Sequence, residues 1–134
     1  MKKVAKLIMV DKDDQYLMLI RSNHPVFGSD PDLPGGTGEG EESALETLIR
    51  EVEEEIGVTI SDAEEVYAGL GYSSHGTFKS LFITQVEERP EIRLSWEHSG
   101  FEWISRDAFI EKAKNAKDDY MRMAYDVLSS QNEA

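Results

Sequence analysis

The sequence predicts an α/β fold: mixed strands in a sheet or sandwich, with helices packed on both sides. Three observations predict it. Short apolar runs bounded by turn residues fill the beginning and the middle of the chain. The stretch Ser43 to Ile56 carries its apolar residues at a helical period. Two more helical patterns close the chain. With 134 residues, 40% of them apolar and 31% charged, it is long enough for one domain to bury a core without disulfides or structural zinc.

The elements follow in order. Lys3 to Val10 reads as a first strand, and the turn DKDDQ leads into YLMLIRS, so the pair forms a hairpin. Asn23 to Gly36, NHPVFGSDPDLPGG, is rich in Pro, Gly, Asp and Ser and reads as an irregular surface loop. In the helix that follows, Leu45, Leu48, Ile49, Val52 and Ile56 fall on one stripe, and Gly57 stands where a C-terminal glycine belongs. EEVYAGLGY and TFKSLFITQVEE are strand-like runs separated by Ser-Ser-His-Gly. FEWI makes a short strand, and Ser105 caps a helix through Phe109, Ile110 and Ala113. A last helix, Asp119 to Ser130, buries Tyr120, Ala124, Val127 and Leu128, with Met121 and Met123 as core filler, and the tail SQNEA frays.

Charge narrows the function. A formal net charge of −13 argues against binding long nucleic acid through a basic surface. An anionic ligand would need a neutralising dication. The absence of cysteine excludes thiolate zinc sites and cysteine nucleophiles. The start MKKVAKLIMV shows no small-residue cleavage site and Lys6 interrupts its apolar run, so it reads as a first strand rather than a leader. No stretch approaches membrane-spanning length, and the cytoplasm is the expected location.

REVEEEIG, Arg50 to Gly57, places four glutamates in eight positions. At about 100° per residue, Glu51, Glu54 and Glu55 share a face away from the apolar stripe, whereas Glu53 points elsewhere. A solvated acidic face is the ordinary meaning of such a run. Yet these carboxylates sit in the last two turns, against the helix dipole, with Arg50 as the only nearby cation. The alternative is a cation site, and an oxygen-only donor set favours Mg²⁺ or Mn²⁺, with Ca²⁺ also open.

The wider segment GTGEGEESALETLIREVEEEIGV, Gly36 to Val58, resembles the signature of the Nudix hydrolase family without a gap. The matching elements are Gly36, Glu42, Arg50, Glu51, Val52, Glu54, Glu55, Gly57 and Val58, and fixed spacing across so many restricted positions makes a chance match improbable. Leu33-Pro34-Gly35-Gly36 is similar to the family's approach to this box, and the order of elements is similar to its α/β/α sandwich.

That resemblance implies hydrolysis of a nucleoside diphosphate linked to another group, with Mg²⁺ (or Mn²⁺) as cofactor. By matched position, Glu51, Glu54, Glu55 and the carbonyl of Gly35 would hold the metal, while Arg50 and Glu42, with Gly36 and Gly57, would orient loop and helix. The base in this family is a box glutamate or one on a later loop. Here Glu97, in LSWEHSGFEWIS, is the later candidate for base or metal contact. His98 reads as a loop histidine without a partner, Phe101 and Trp103 as core and strand residues, and Glu102 as facing water. Arg21 and Tyr72 are secondary candidates for substrate contact, each weighed against a commoner reading: a solvated strand-end arginine and a half-buried strand tyrosine. His24 and His75 are read as surface residues in turns.

The sequence features expected of NADH-, ADP-ribose- and coenzyme A-cleaving members are not matched. Nucleoside triphosphates and dinucleoside polyphosphates therefore lead as substrates, ahead of ADP-ribose or nucleotide sugars. The rival is a nucleotide-sensing module that does not cut, which should show a damaged box. Family members are often dimers, which leaves a homodimer open, but no apolar stripe identifies an interface.

Overall fold

The computed structural model describes residues 2–22, 25, 28, 30–70 and 76–131. The chain runs β1 (Lys3–Asp11), β2 (Gln15–Arg21), β3 (Pro31–Asp32), β4 (Gly35–Thr37), α1 (Ala44–Ile56), β5 (Glu64–Gly69), β6 (Phe78–Val86), β7 (His98–Ser105), α2 (Arg106–Lys114) and α3 (Asp119–Gln131). The strands form one mixed sheet. β1 pairs parallel with β6 and antiparallel with β2, and β7 lies antiparallel along β2.

Helices cover both faces, as the sequence predicts, and the side-chain alternation of the central strands shows why. Leu7 and Met9 of β1 and Leu17 and Leu19 of β2 pack with Leu48, Val52 and Ile56 of α1. Their neighbours Ile8, Val10, Tyr16 and Met18 pack on the other face with Phe109, Met121, Ala124 and Leu128 of α2 and α3. Strands buried on both faces have no polar side, so they read as continuous apolar runs.

Helix α1 is locally encoded at both ends. Ser43 Oγ accepts from the N–H of Glu46, whose carboxylate accepts from the N–H of Ser43, a reciprocal capping box. Gly57 closes the helix in the left-handed region at φ 70°, where a side chain would be strained. The hairpin turn is equally local. Asp11 Oδ1 accepts from the N–H groups of Asp13 and Gln15, and Asp14 takes φ 60°, which aspartate tolerates.

The segment read as an irregular surface loop is only partly that. Beyond their hairpin, β1 and β2 splay apart, and residues 31–37 wedge into the gap. There β3 pairs with β2 at Leu19 and Ile20, and β4 pairs with β1 at Val4 to Lys6. Asp32, Leu33 and Gly35 are buried as a result. Two further corrections concern exposure. Phe101, expected in the core, stands 41% exposed, and Val127 is only half-buried. Trp103, expected in the core, lies in β7 and is half-buried against it, and carries the Arg89 guanidinium 5.1 Å from its ring. Glu102 sits at the surface near Lys112. His24, Tyr72, His75 and the last three residues lie outside the described residues, and among those described no helix is long and apolar enough to cross a membrane.

Candidate active site

The splay between β1 and β2 and the C-terminal half of α1 meet at one end of the sheet, and the acidic helix face is organised there by one guanidinium. Arg50 Nε and Nη2 donate to the two oxygens of Glu42 at 2.8 and 2.9 Å, and Nη2 also donates to the Thr37 carbonyl at 3.0 Å. This fork ties the loop ahead of α1 to the helix and holds the Glu42 carboxyl down at about 2. The remaining nitrogen, Nη1, donates to Glu51 Oε1 at 2.9 Å and reaches Glu54 at 3.3 Å. Arg50 thus bonds Glu42 and the Thr37 carbonyl of the preceding loop from the middle of α1.

Glu51 lies against Gly36. A Cβ on that glycine would stand 2.4 Å from Glu51 Oε2. Burial raises the Glu51 carboxyl, Arg50 opposes this, and the charges of Glu54 and Glu97 raise it further. Gly36→Ala is expected to keep the fold, because the obstructing atom ends a side chain, and to push Glu51 out of register. We expect kcat to fall by on the order of 10–100-fold, as for lost support of a ligand, with a melting temperature close to wild type. Parallel kinetics and thermal melts check this.

Glu55 is the buried member of the trio. Gly35 meets it through its N–H, which donates to Glu55 Oε2 at 3.1 Å. At φ 140°, with the position of a Cβ lying 2.1 Å from the Ala5 carbonyl oxygen, only glycine fits at position 35. Burial pushes the Glu55 carboxyl up to about 8; Lys6 opposes this, and Asp32 and Glu97 reinforce it.

The segment carrying Glu97 is fastened on two sides. Arg93 and Ser95 donate their N–H groups to the carbonyls of Ile56 and Glu55 at the end of α1, and Ser22 donates to the Glu97 carbonyl from the end of β2. The first pair satisfies helix carbonyls that have no partner within the helix. Glu97 therefore stands beside the box glutamates because the backbone of its loop is bonded to their helix.

His98 is a correction. It opens β7, is buried, and has two acidic neighbours: Nε2 lies 2.8 Å from Asp32 Oδ2, and Nδ1 lies 3.4 Å from Glu55 Oε1. Asp32 also receives Lys6 at 2.5 Å and Arg21 at 3.0 Å, and Arg21 continues to Asp118 at 2.6 Å. Burial raises the Asp32 carboxyl, but Lys6, His98 and Arg21 together outweigh it and hold it well below the usual range. An ionised Asp32 only accepts, so we assign the proton to His98 Nε2, which turns Nδ1 toward Glu55. Arg21 is not the solvated strand-end residue of the commoner reading; it is largely buried in this network and lines a cleft of about 450 Å³ together with Trp96, Glu97 and His98.

Sequence reasoning missed Lys6, Asp32 and His98. The Lys that interrupts the apolar run of the first strand was the available signal, since a cation there must find a carboxylate. Asp32, Glu55 and His98 offer ligand atoms within 4.8 Å of one another, close enough to hold a metal ion. Asp32, however, is already matched by two protein cations that a dication would have to displace. The glutamate face fits a dication better. Its donors are oxygens, suited to a hard ion. Its buried member, Glu55, accepts a hydrogen bond from a backbone N–H, that of Gly35, and further carboxylates add charge nearby.

A family model for the NUDIX domain matches residues 1–124. The chain belongs to this family. Membership makes it a Nudix-type pyrophosphohydrolase, acting on phosphorus-containing acid anhydrides, and Nudix enzymes generally use a divalent metal. No curated protein matches the chain significantly. Among solved structures, a MutT protein from Methanosarcina mazei is similar at 22% identity and TM-score 0.74, covering 98% of this chain and 95% of its own. An Ap4A hydrolase from C. elegans, in a binary complex, is similar at 20% identity and TM-score 0.76, covering 99% and 96%. The NUDIX domain of Shewanella oneidensis NrtR, with ADP ribose, is similar at 16% identity and TM-score 0.73, covering 96% and 86%. At these identities the likeness is one of fold: the Nudix sandwich, with the box on α1 and the loop before it.

Proposed function

We propose that this chain hydrolyses a phosphoanhydride bond of a nucleoside polyphosphate, a nucleoside triphosphate or dinucleoside polyphosphate, with Mg²⁺ as cofactor and Mn²⁺ as its substitute. The observation that carries the reading is the acidic cluster of Glu51, Glu54, Glu55 and Glu97. It is oriented by the Arg50–Glu42 fork and lies beside a cleft large enough for a nucleotide. In this reading Glu51, Glu54, Glu55 and the Gly35 carbonyl hold the cation, and Glu97 is a further ligand or the base that takes the proton from the attacking water. The bound cation would withdraw charge from the phosphoryl oxygens and acidify a bound water. Arg50 and Glu42 keep loop and helix in register. Arg21 lines the cleft where the phosphate chain would pass.

Net charge supports the same reading. An acidic chain meets a polyanion only across a neutralising cation. The Ap4A hydrolase makes a dinucleoside tetraphosphate a comparison to include, and the NrtR domain makes ADP-ribose another. The test is phosphate release with Mg²⁺ across nucleoside triphosphates, dinucleoside polyphosphates and ADP-ribose. Turnover is expected for the first two classes and loss of it on chelation. Tight nucleotide binding with no turnover of any member would instead make the chain a sensor.

A further inference from the structure

Trp96 is 86% exposed, the most exposed of the large apolar side chains among the described residues. An indole in water is a cost that a fold normally avoids. Mobility of the segment does not account for it, because the backbone on either side is bonded down. Ser95 N–H donates to the Glu55 carbonyl at 2.9 Å and Ser22 N–H to the Glu97 carbonyl at 2.9 Å. The ring is thus presented from a fixed loop, one residue from Glu97 and one from the residue tied to the end of the box helix. It forms one wall of the 450 Å³ cleft, and among the described residues Pro25 is the other apolar side chain lining it, with Arg21, Ser22, Asp32, Glu97 and His98 as the polar and charged ones.

We infer that Trp96 is the nucleobase platform of this enzyme: the base stacks on the indole, so that its phosphates run over Glu97 toward the box glutamates. The inference rests on the hydrolase reading and adds where the base is held. Stacking suits this surface because a base offers a flat apolar face and needs few polar partners for it. It also answers a problem of charge. The acidic site repels an approaching phosphate chain until a cation is bound, whereas the face of a base is neutral and gains contact with the indole regardless. Trp96 then contributes to affinity more than to the chemical step, and selects substrates that carry a base over bare polyphosphates.

The test compares two probes that resist hydrolysis at the bridging carbon: α,β-methylene-ADP (or its guanine analogue), and the base-free methylenediphosphonate. With Mg²⁺ present, calorimetry on wild type and Trp96→Ala should show the nucleotide analogue weakened by about tenfold or more and the base-free probe unchanged. Trp96→Phe should recover part of the loss. The chain has 2 tryptophans, so in Trp103→Phe the emission comes from Trp96 alone, and the nucleotide analogue should quench it saturably. No quenching by either analogue, or equal weakening of both kinds of probe in Trp96→Ala, overturns the platform. The two readings fail separately. Selective loss of binding in a protein that cleaves no nucleotide leaves the platform and removes the hydrolase, whereas full turnover with unaltered base selectivity in Trp96→Ala does the reverse.

Discussion

Glu54→Gln is expected to lower kcat by on the order of 10³-fold or more, equivalent to ~4 kcal/mol of transition-state stabilisation, with the folded state left intact. The two halves of this expectation have separate causes. Glu54 is 60% exposed on its side chain, and its contact with Arg50, at 3.3 Å, is the longest of the three that this guanidinium makes with the glutamates at positions 42, 51 and 54. Removing its charge also relieves repulsion with Glu51 and a mismatch with the negative end of the helix dipole. Stability should therefore move by no more than about 0.5 kcal/mol, as for other exposed positions, with any change toward greater stability. The amide has the shape of the acid but lacks its charge, and a dication held by oxygen ligands depends on that charge. Steady-state rates at saturating Mg²⁺ with the best substrate of the panel, alongside a thermal melt, decide the matter. A variant that keeps most of the wild-type rate would remove Glu54 from the metal site.

The same region shows what a sequence carries and where it stops. Helix α1 was legible because its determinants are local: Ser43 and Glu46 cap it, Gly57 ends it, and the apolar stripe repeats within a few turns. The spacing of Glu51, Glu54 and Glu55 then placed three carboxylates on one face. The Arg50–Glu42 fork, eight residues apart, followed from the box. His98 and Asp32 are 66 residues apart and meet only because β3 and β7 both pair with β2. No short-range pattern reports such a meeting. Asp32 was also concealed by its neighbours, since Asp and Pro among glycines describe a loop, whereas the wedge that buries it depends on how far β1 and β2 diverge. Trp96 is hard to read for a different reason: the alternation of a strand tells a core aromatic from an exposed one, and Trp96 precedes the strand that holds Phe101 and Trp103.

Without divalent ions, the protein should lose stability as pH rises from 5 to 8.5, and Glu55→Gln should lose much less. The sign follows from proton uptake. Glu55 titrates near 4.5 when unfolded and at about 8 when folded. Below both values each state is protonated, and above both each is ionised. Between them only the unfolded chain has released its proton, so the unfolded state gains with every unit of pH, by at most about 1.4 kcal/mol per unit. The groups facing Glu55 are Lys6 from β1, Asp32 from β3, the N–H of Gly35 from β4, and Glu97 and His98 from the loop and start of β7. Asp32 acts with the opposite sign but at lower pH, because its carboxyl is held down and loses its contribution only as acid protonates it. Its effect lies below the window. Saturating Mg²⁺ should reverse the trend. A cation that requires ionised Glu55 must expel its proton below pH 8, so metal affinity should climb up to about tenfold per unit there and level off above. Melting temperatures of wild type and Glu55→Gln across this range, in chelator and in excess Mg²⁺, test both statements. A wild-type curve in chelator that is flat or rising while Glu55→Gln tracks it would mean that the buried carboxyl is ionised without a metal. Burial of Glu55 would then not be coupled to cation binding.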